Sequence, residues 1–212
     1  MSVSLIANPQ VDRLREFEPE RFGGLTTEGF ERARDYLCAL PEYAPTPLLR
    51  LDAAAKQGLI AGLWYKDEGL RFNLGSFKAL AALYGLRSAL SLERLRSPLP
   101  KLQGENLHQE SIRRMSSVPM TVCCASDGNY GYALSWAARR FGCEAVVFVP
   151  DACSEARQSS IGEEGARVIR IPGTYEDAHK EAIRCSLENH WVLVSDTAFD
   201  GYEHIPRQIM EA

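Results

Sequence analysis

Apolar positions along the chain change period several times, and each change predicts an element. Phe30, Ala33, Tyr36 and Leu37 recur at helical spacing and predict a helix over residues 27–40, capped by Thr26 or Thr27 and stopped by Pro41. Ala44-Pro45-Thr46-Pro47-Leu48-Leu49 reads as an extended connector, because each proline fixes its own φ and keeps the preceding residue out of the helical region. A short strand is expected over residues 63–66. Phe77, Leu80, Leu83, Leu86 and Leu90 then predict a helix over residues 76–90 with Ser76 at its cap. Residues 91–118 carry alternating charges and little period, so they read as a surface excursion with room for a short helix, Glu110, Arg113 and Arg114 forming a solvated face. From residue 120 the pattern is regular. Apolar strands over 120–125, 145–149, 167–171 and 191–194 alternate with helices over 132–141, 154–164 and 175–189. A parallel connection needs a crossover of about a dozen residues, so this alternation predicts an α/β fold, an open parallel sheet with helices on both faces. A last helix starts near Gly201 and runs through Ile205 and Ile209 without a stop signal, so the chain is expected to end inside a helix.

Composition narrows the function classes. With 212 residues, 45% of them hydrophobic, the chain can bury a core and is too apolar for disorder. A formal net charge of -4 with no dense basic run argues against affinity won by neutralising phosphates, so nucleic acid is not an expected partner. Purely apolar runs such as Ala145 to Val149 are far short of the roughly 20 residues that cross a bilayer, and the N-terminus lacks the basic and apolar regions of an export signal. The six cysteines include no C-x-x-C pair, so reduced thiols in a cytoplasmic protein are the expectation. Cys123 and Cys124 should face opposite sides of one strand as small core residues. His108, His179, His190 and His204 have no metal-ligand spacing; surface or capping roles are expected of them, and no metal. Neither a Gly-x-Ser-x-Gly elbow nor a Walker phosphate loop occurs.

Three places can carry chemistry. Lys78, in Gly75-Ser76-Phe77-Lys78-Ala79-Leu80, sits in the first turn of an apolar helix. Burial and the positive end of the helix would favour its free amine, the form that condenses with an aldehyde or takes a proton from carbon; a lysine snorkelling to water is the plainer reading. Ser126-Asp127-Gly128-Asn129-Tyr130-Gly131 follows a strand and opens a helix. Its glycines allow close backbone approach and its N–H groups can meet a ligand, with Asp127 at the strand end where open sheets bind ligands; a simple strand-to-helix turn capped by Ser126 or Asp127 explains it equally. The third, Ser195-Asp196-Thr197-Ala198-Phe199-Asp200-Gly201-Tyr202, places another carboxylate at a strand end, and capping again accounts for it.

In this order, Pro45-Thr46-Pro47-Leu48, Lys66-Asp67-Glu68-Gly69, Gly75-Ser76-Phe77-Lys78 and Ser126-Asp127-Gly128-Asn129-Tyr130-Gly131 resemble the tryptophan-synthase-β-like (fold type II) pyridoxal-phosphate enzymes. Within that group, Lys66 to Phe72, Asp127 in the asparagine loop, and Asp196 to Tyr202 followed by Ile205-Pro206 are similar to the diaminopropionate ammonia-lyase family, from about Ala44 to the end of the chain. The resemblance implies that Lys78 binds pyridoxal 5'-phosphate covalently, that Phe77 lies beside the cofactor ring, and that Gly128 and Asn129 belong to the cofactor loop, Asn129 bonding the ring oxygen. It further implies catalytic roles for Lys78 and Asp127 toward opposite enantiomers of 2,3-diaminopropionate, with Asp196 near the substrate. The activity implied is elimination of that amino acid to pyruvate and ammonia, and the family is typically homodimeric.

Two departures stand out. Tyr130 replaces the family's usual histidine, and after Gly173 only Gly201 remains, so the glycine-rich phosphate cradle of the family's C-terminal half is not found. The expectation is therefore an N-terminal half with weak or no activity alone: residues 1–90 belonging to the large cofactor domain, 91–195 a small α/β domain, and 196–212 the return toward the large domain. A serine or threonine dehydratase is the same-fold alternative, and a non-catalytic remnant or small-ligand-binding module is the alternative of another class.

Overall fold

The computed structural model describes residues 9, 24–96 and 120–212. Among these, α1 (Thr27–Cys38), β1 (Leu48–Arg50), α2 (Asp52–Gln57) and β2 (Trp64–Lys66) lead through a 3-10 helix (Glu68–Asn73) to α3 (Lys78–Arg96). Then come β3 (Thr121–Ala125), α4 (Asn129–Phe141), β4 (Glu144–Pro150), α5 (Glu155–Glu163), β5 (Arg167–Ile171), α6 (Tyr175–Asn189), β6 (Val192–Leu193) and α7 (His204–Glu211). The expected alternation from residue 120 onward is present, and the excursion's Glu110, Arg113, Arg114 and His108 lie outside the described residues.

The four later strands form one parallel sheet in the order β5-β4-β3-β6. Register follows burial. Val122 pairs with Ala145 and Cys124 with Val147, and the two faces of these strands enter separate cores. Cys124, Val122, Val147 and Val149 face a core shared with α3 and α4, including Leu83, Leu86 and Leu134. Cys123, Ala125, Val146 and Phe148 face α6 through Ala178 and Ala182. Both sides of the sheet are thus covered by helices, and the adjacent cysteines do point opposite ways, as alternation along a strand requires. Burial pushes the Cys123 thiol up to about 12, so it is an inert core group.

Chain order decides where a ligand can enter. From β3 the chain steps outward to β4 and β5, then returns over α6 to place β6 on the other side of β3. The crevice at the carboxyl ends of β3 and β6 is therefore the switch point of the sheet, the usual ligand site of open α/β folds.

The structure departs from the sequence reading in five places. The connector at residues 44–49 ends in a strand, because Leu48–Arg50 pairs antiparallel with Trp64–Lys66 in a sheet of its own. Six residues, Asp52–Gln57, form an unexpected helix. The helix that starts near Lys78 runs to Arg96 rather than Leu90, and Phe77, expected on its apolar face, precedes it and is 58% exposed. Helix α4 starts at Asn129, three residues before the expected Tyr132, because Ser126 Oγ accepts the N–H groups of Gly128 and Gly131 and turns the chain at once. Finally, the last helix starts at His204, after a bridge between Phe199 and Tyr202 that ties off the preceding loop.

Among the described residues no helix is long and apolar enough to cross a membrane, and no group of three or more His, Cys, Asp and Glu side chains is placed to hold a metal ion.

Candidate active site

Three segments converge on the switch point, each shaped by local chemistry. The first delivers Lys78. Asp67 Oδ1 accepts the Gly69 N–H and opens the 3-10 helix. Arg71, almost fully buried, donates to Glu68 Oε2 at 2.8 Å, to the Ala44 carbonyl at 2.8 Å and to Thr46 Oγ1 at 3.1 Å. Thr46 in turn donates to Glu68. Phe72 and Asn73 follow with φ of 49° and 59°, a left-handed conformation that costs a non-glycine residue energy and persists only when its surroundings fix it. The fixing contacts here are the Arg71 network before the turn and the Phe72 ring stacked on Trp136 of α4 at 5.3 Å. The chain then reverses, Ser76 Oγ accepts the Lys78 N–H at 3.2 Å, and α3 begins with Lys78 itself.

The second segment is the β3-to-α4 turn. Gly128 has a φ of 153°, and a Cβ there would meet Arg157 Cδ at 2.9 Å; at Gly131 it would meet Val147 Cγ1 at 2.7 Å. Both positions need the missing side chain, the first for backbone shape and the second because α4 rides directly on β4. Asp127 and Asn129 are exposed here, and the Asn129 amide makes no hydrogen bond to another described residue. Tyr130 is buried, and its hydroxyl donates to the Val194 carbonyl at 3.1 Å. In place of a histidine, this phenol ties the turn to the end of β6. Burial holds its pKa well above the usual phenol value, so it stays a donor.

The third segment is the turn after β6. The Tyr202 hydroxyl accepts the Ser195 N–H at 3.0 Å and donates to the Leu193 carbonyl at 2.8 Å. Thr197 Oγ1 pairs with the Tyr175 hydroxyl at 3.0 Å. Between these anchors Asp196 projects toward Lys78, and Nζ to Oδ2 is 2.8 Å. The pair is partly exposed, 32% for Lys78 and 19% for Asp196. The lysine therefore sits in mixed rather than purely apolar surroundings: a carboxylate on one side, with the rings of Tyr130 at 5.6 Å and Phe77 at 5.8 Å.

Residues from all three segments border one cavity of about 440 Å³, within the size range of small-molecule sites. Lys78, Asp127, Gly128, Asn129 and Asp196, all singled out in the sequence, line it; Phe77 does not. Tyr175, Arg157 and Thr197 line it as well and were not singled out individually. Arg157 and Tyr175 follow the carboxyl ends of β4 and β5, a positional signal that only the strand order makes readable. His179 was expected at the surface or as a cap. It is instead half-buried behind the third segment, stacked on Tyr175 and 3.1 Å from Ser195 Oγ. His190 does end α6, in the left-handed conformation of a C-cap.

A family model described as pyridoxal-phosphate dependent enzyme matches residues 39–212. The diaminopropionate ammonia-lyase of Salmonella typhimurium is 35% identical over 172 residues, 81% of this chain and 42% of that protein. The diaminopropionate ammonia-lyase of Escherichia coli K12 is 31% identical over 195 residues, 90% of this chain and 48% of that protein. The crystal structure of the Escherichia coli enzyme in apo form superposes with a TM-score of 0.77 at 31% identity, over 88% of this chain and 49% of that one. The chain spans about half the length of the curated relatives it matches.

Proposed function

The chain belongs to the family of pyridoxal-phosphate dependent enzymes, and from that premise we propose that it carries the lysine and the proton-handling residues of a lyase that converts 2,3-diaminopropionate to pyruvate and ammonia. The observation that carries this reading is the convergence of one primary amine, Lys78, with two carboxylates, Asp127 and Asp196, on a single cavity. The relatives at 31–35% identity support the choice of substrate.

The residues present fit the cofactor. Lys78 offers an amine to its aldehyde, and the uncommitted Asn129 amide at the start of α4 can meet a ring oxygen. When bound, pyridoxal phosphate withdraws electrons from the α-carbon and so makes its proton removable. The chain's own groups do the rest. While Lys78 is an ammonium, Asp196 neutralises it at 2.8 Å. When the Lys78 nitrogen is uncharged, as a base must be, that carboxylate lacks its cation, and the β-ammonium of diaminopropionate would supply one. Asp196 thus selects for a β-amino over a β-hydroxyl group. Lys78, at the start of α3, and Asp127, at the end of β3, approach the cavity from different walls, so each can take the α-proton of one enantiomer. Buried Tyr130 and half-buried Tyr175 stay protonated, both raised by desolvation, and hold the walls rather than compete as bases.

Since the sequence matches about half of its relatives' length, we propose that turnover by these 212 residues alone is weak or absent, and that any turnover prefers 2,3-diaminopropionate. Purified chain with pyridoxal phosphate is offered 2,3-diaminopropionate, serine and threonine, and 2-oxoacid release is followed. Slow pyruvate formation from diaminopropionate, lost in Lys78→Ala, is expected. Faster release from serine or threonine would move the reading to a dehydratase, and equal release by Lys78→Ala would remove catalysis from this site.

A further inference from the structure

The Ser195 hydroxyl has one proton and two acceptor sites, and the turn uses them in a defined way. Its Oγ accepts the Thr197 N–H at 3.1 Å and donates to the Thr197 carbonyl at 3.3 Å. One acceptor site remains, and His179 Nε2 lies against it at 3.1 Å. When the hydroxyl proton goes to the Thr197 carbonyl, the imidazole is the donor and its proton sits on Nε2. The ring is flanked on two sides: it is parallel to Tyr175 within 8° at 6.0 Å, and Phe199 meets it edge-on at 5.8 Å. His179 does not line the cavity, yet two of its neighbours, Tyr175 and Ser195, both hold Thr197, the residue that follows Asp196.

We infer that His179 is a positioning residue for the proposed reaction: its Nε2–H holds Ser195 Oγ, Ser195 fixes the turn over residues 195–197, and the turn keeps the Asp196 carboxylate on the Lys78 nitrogen. The inference rests on the proposed function for its catalytic meaning, and its geometry is testable without cofactor. Burial lowers the His179 pKa below its ordinary value, with Asp196 opposing, so the neutral ring prevails near pH 7 and its tautomer is the quantity to measure.

Nitrogen-15 NMR of the imidazole in the cofactor-free chain should show Nε2 protonated and Nδ1 bare; the reverse tautomer overturns the inference. A second readout is the rate at which trinitrobenzenesulfonate modifies Lys78, followed by peptide mass spectrometry. A nitrogen held by a carboxylate is masked, so Asp196→Asn should raise the rate about fivefold, the factor expected for a partly exposed ion pair. His179→Phe keeps an aromatic ring but loses the donor, and should approach that rate. Ser195→Ala, a smaller change that tests the same link if the phenylalanine variant does not fold, should do likewise. The double variant should be no faster than the faster single one, because the two residues act in series. His179→Gln, which retains an N–H donor, should return toward the unchanged rate. Unaltered Lys78 labelling in a folded His179→Phe or Asp196→Asn chain, or multiplying effects of the two single changes, overturns the inference. Failure of pyridoxal phosphate to attach to Lys78 would instead remove the proposed function and leave these cofactor-free results standing.

Discussion

Every residue of β1 and β2 is exposed, whereas β3 and β4 are buried apart from Thr121 and Glu144 at their starts. Two strands of three residues with no buried face cannot hold themselves together by the hydrophobic effect. They pair through their backbones, and the segments that flank them are tied by a buried guanidinium: Arg71 gathers Glu68, Thr46 and the Ala44 carbonyl, and covers the Tyr43 ring at 5.0 Å. The parallel sheet is held by apolar packing on both faces. The Lys78–Asp196 pair sits where the two meet: the amine stands at the junction of the charged network and α3, a helix of the packed core, and the carboxylate follows the packed sheet.

That contrast can be broken most forcefully at Arg71. Arg71→Ala takes the guanidinium from a partly buried carboxylate, a hydroxyl and a carbonyl and should cost about 3 kcal/mol, read by urea denaturation, with faster amide exchange concentrated in residues 44–78. Leu134→Ala, at a fully buried position in α4, should cost about 3 kcal/mol and loosen the sheet broadly instead. If both variants gave the same exchange pattern, the distinction between the two regions would be lost.

Acid should sharpen the same contrast. The hydrogen bond from Arg71 holds the Glu68 carboxyl below the usual range, against the opposing effect of burial. A carboxylate with a depressed folded pKa contributes stability that is present above its unfolded pKa and disappears as pH falls through the folded one. Exchange in residues 44–78 should therefore rise below about pH 4, and Glu68→Gln should flatten that dependence. A smaller effect is expected at Tyr130→Phe, which removes the tie to the Val194 carbonyl and should cost about 1 kcal/mol in thermal melts. Smallest of all is Leu59→Ala: the side chain is 92% exposed, and stability should change by less than about 0.5 kcal/mol.

The packed region was the more legible in the sequence. Residues 167–171 and 175–189 have the boundaries their pattern predicts, because Gly165 and Gly173 punctuate them and Thr174 forms a capping box with Asp177. The ionic region was legible mainly as motif, although the short strand expected over residues 63–66 is present as β2. Pro45 and Pro47 signalled an extended chain, yet pairing of Leu48–Arg50 with Trp64–Lys66 depends on a network that no periodicity reports. Within the site, Lys78, Asp127, Asn129 and Asp196 could be picked out because each begins a helix or ends a strand. Their convergence needed the strand order, which local pattern does not encode. His179 could not be found at all from sequence: in α6 it is one polar position among several, and its partners Ser195 and Phe199 come from beyond the next strand.

The central claim is that the amine of Lys78 is the group that captures the cofactor. The most direct measurement is borohydride reduction of the purified chain mixed with pyridoxal phosphate, followed by peptide mass spectrometry. One dominant pyridoxyl-modified peptide is expected, carrying the label on Lys78 and losing it in Lys78→Ala. Label spread over other lysines at the same yield, with Lys78 unmodified, would contradict it.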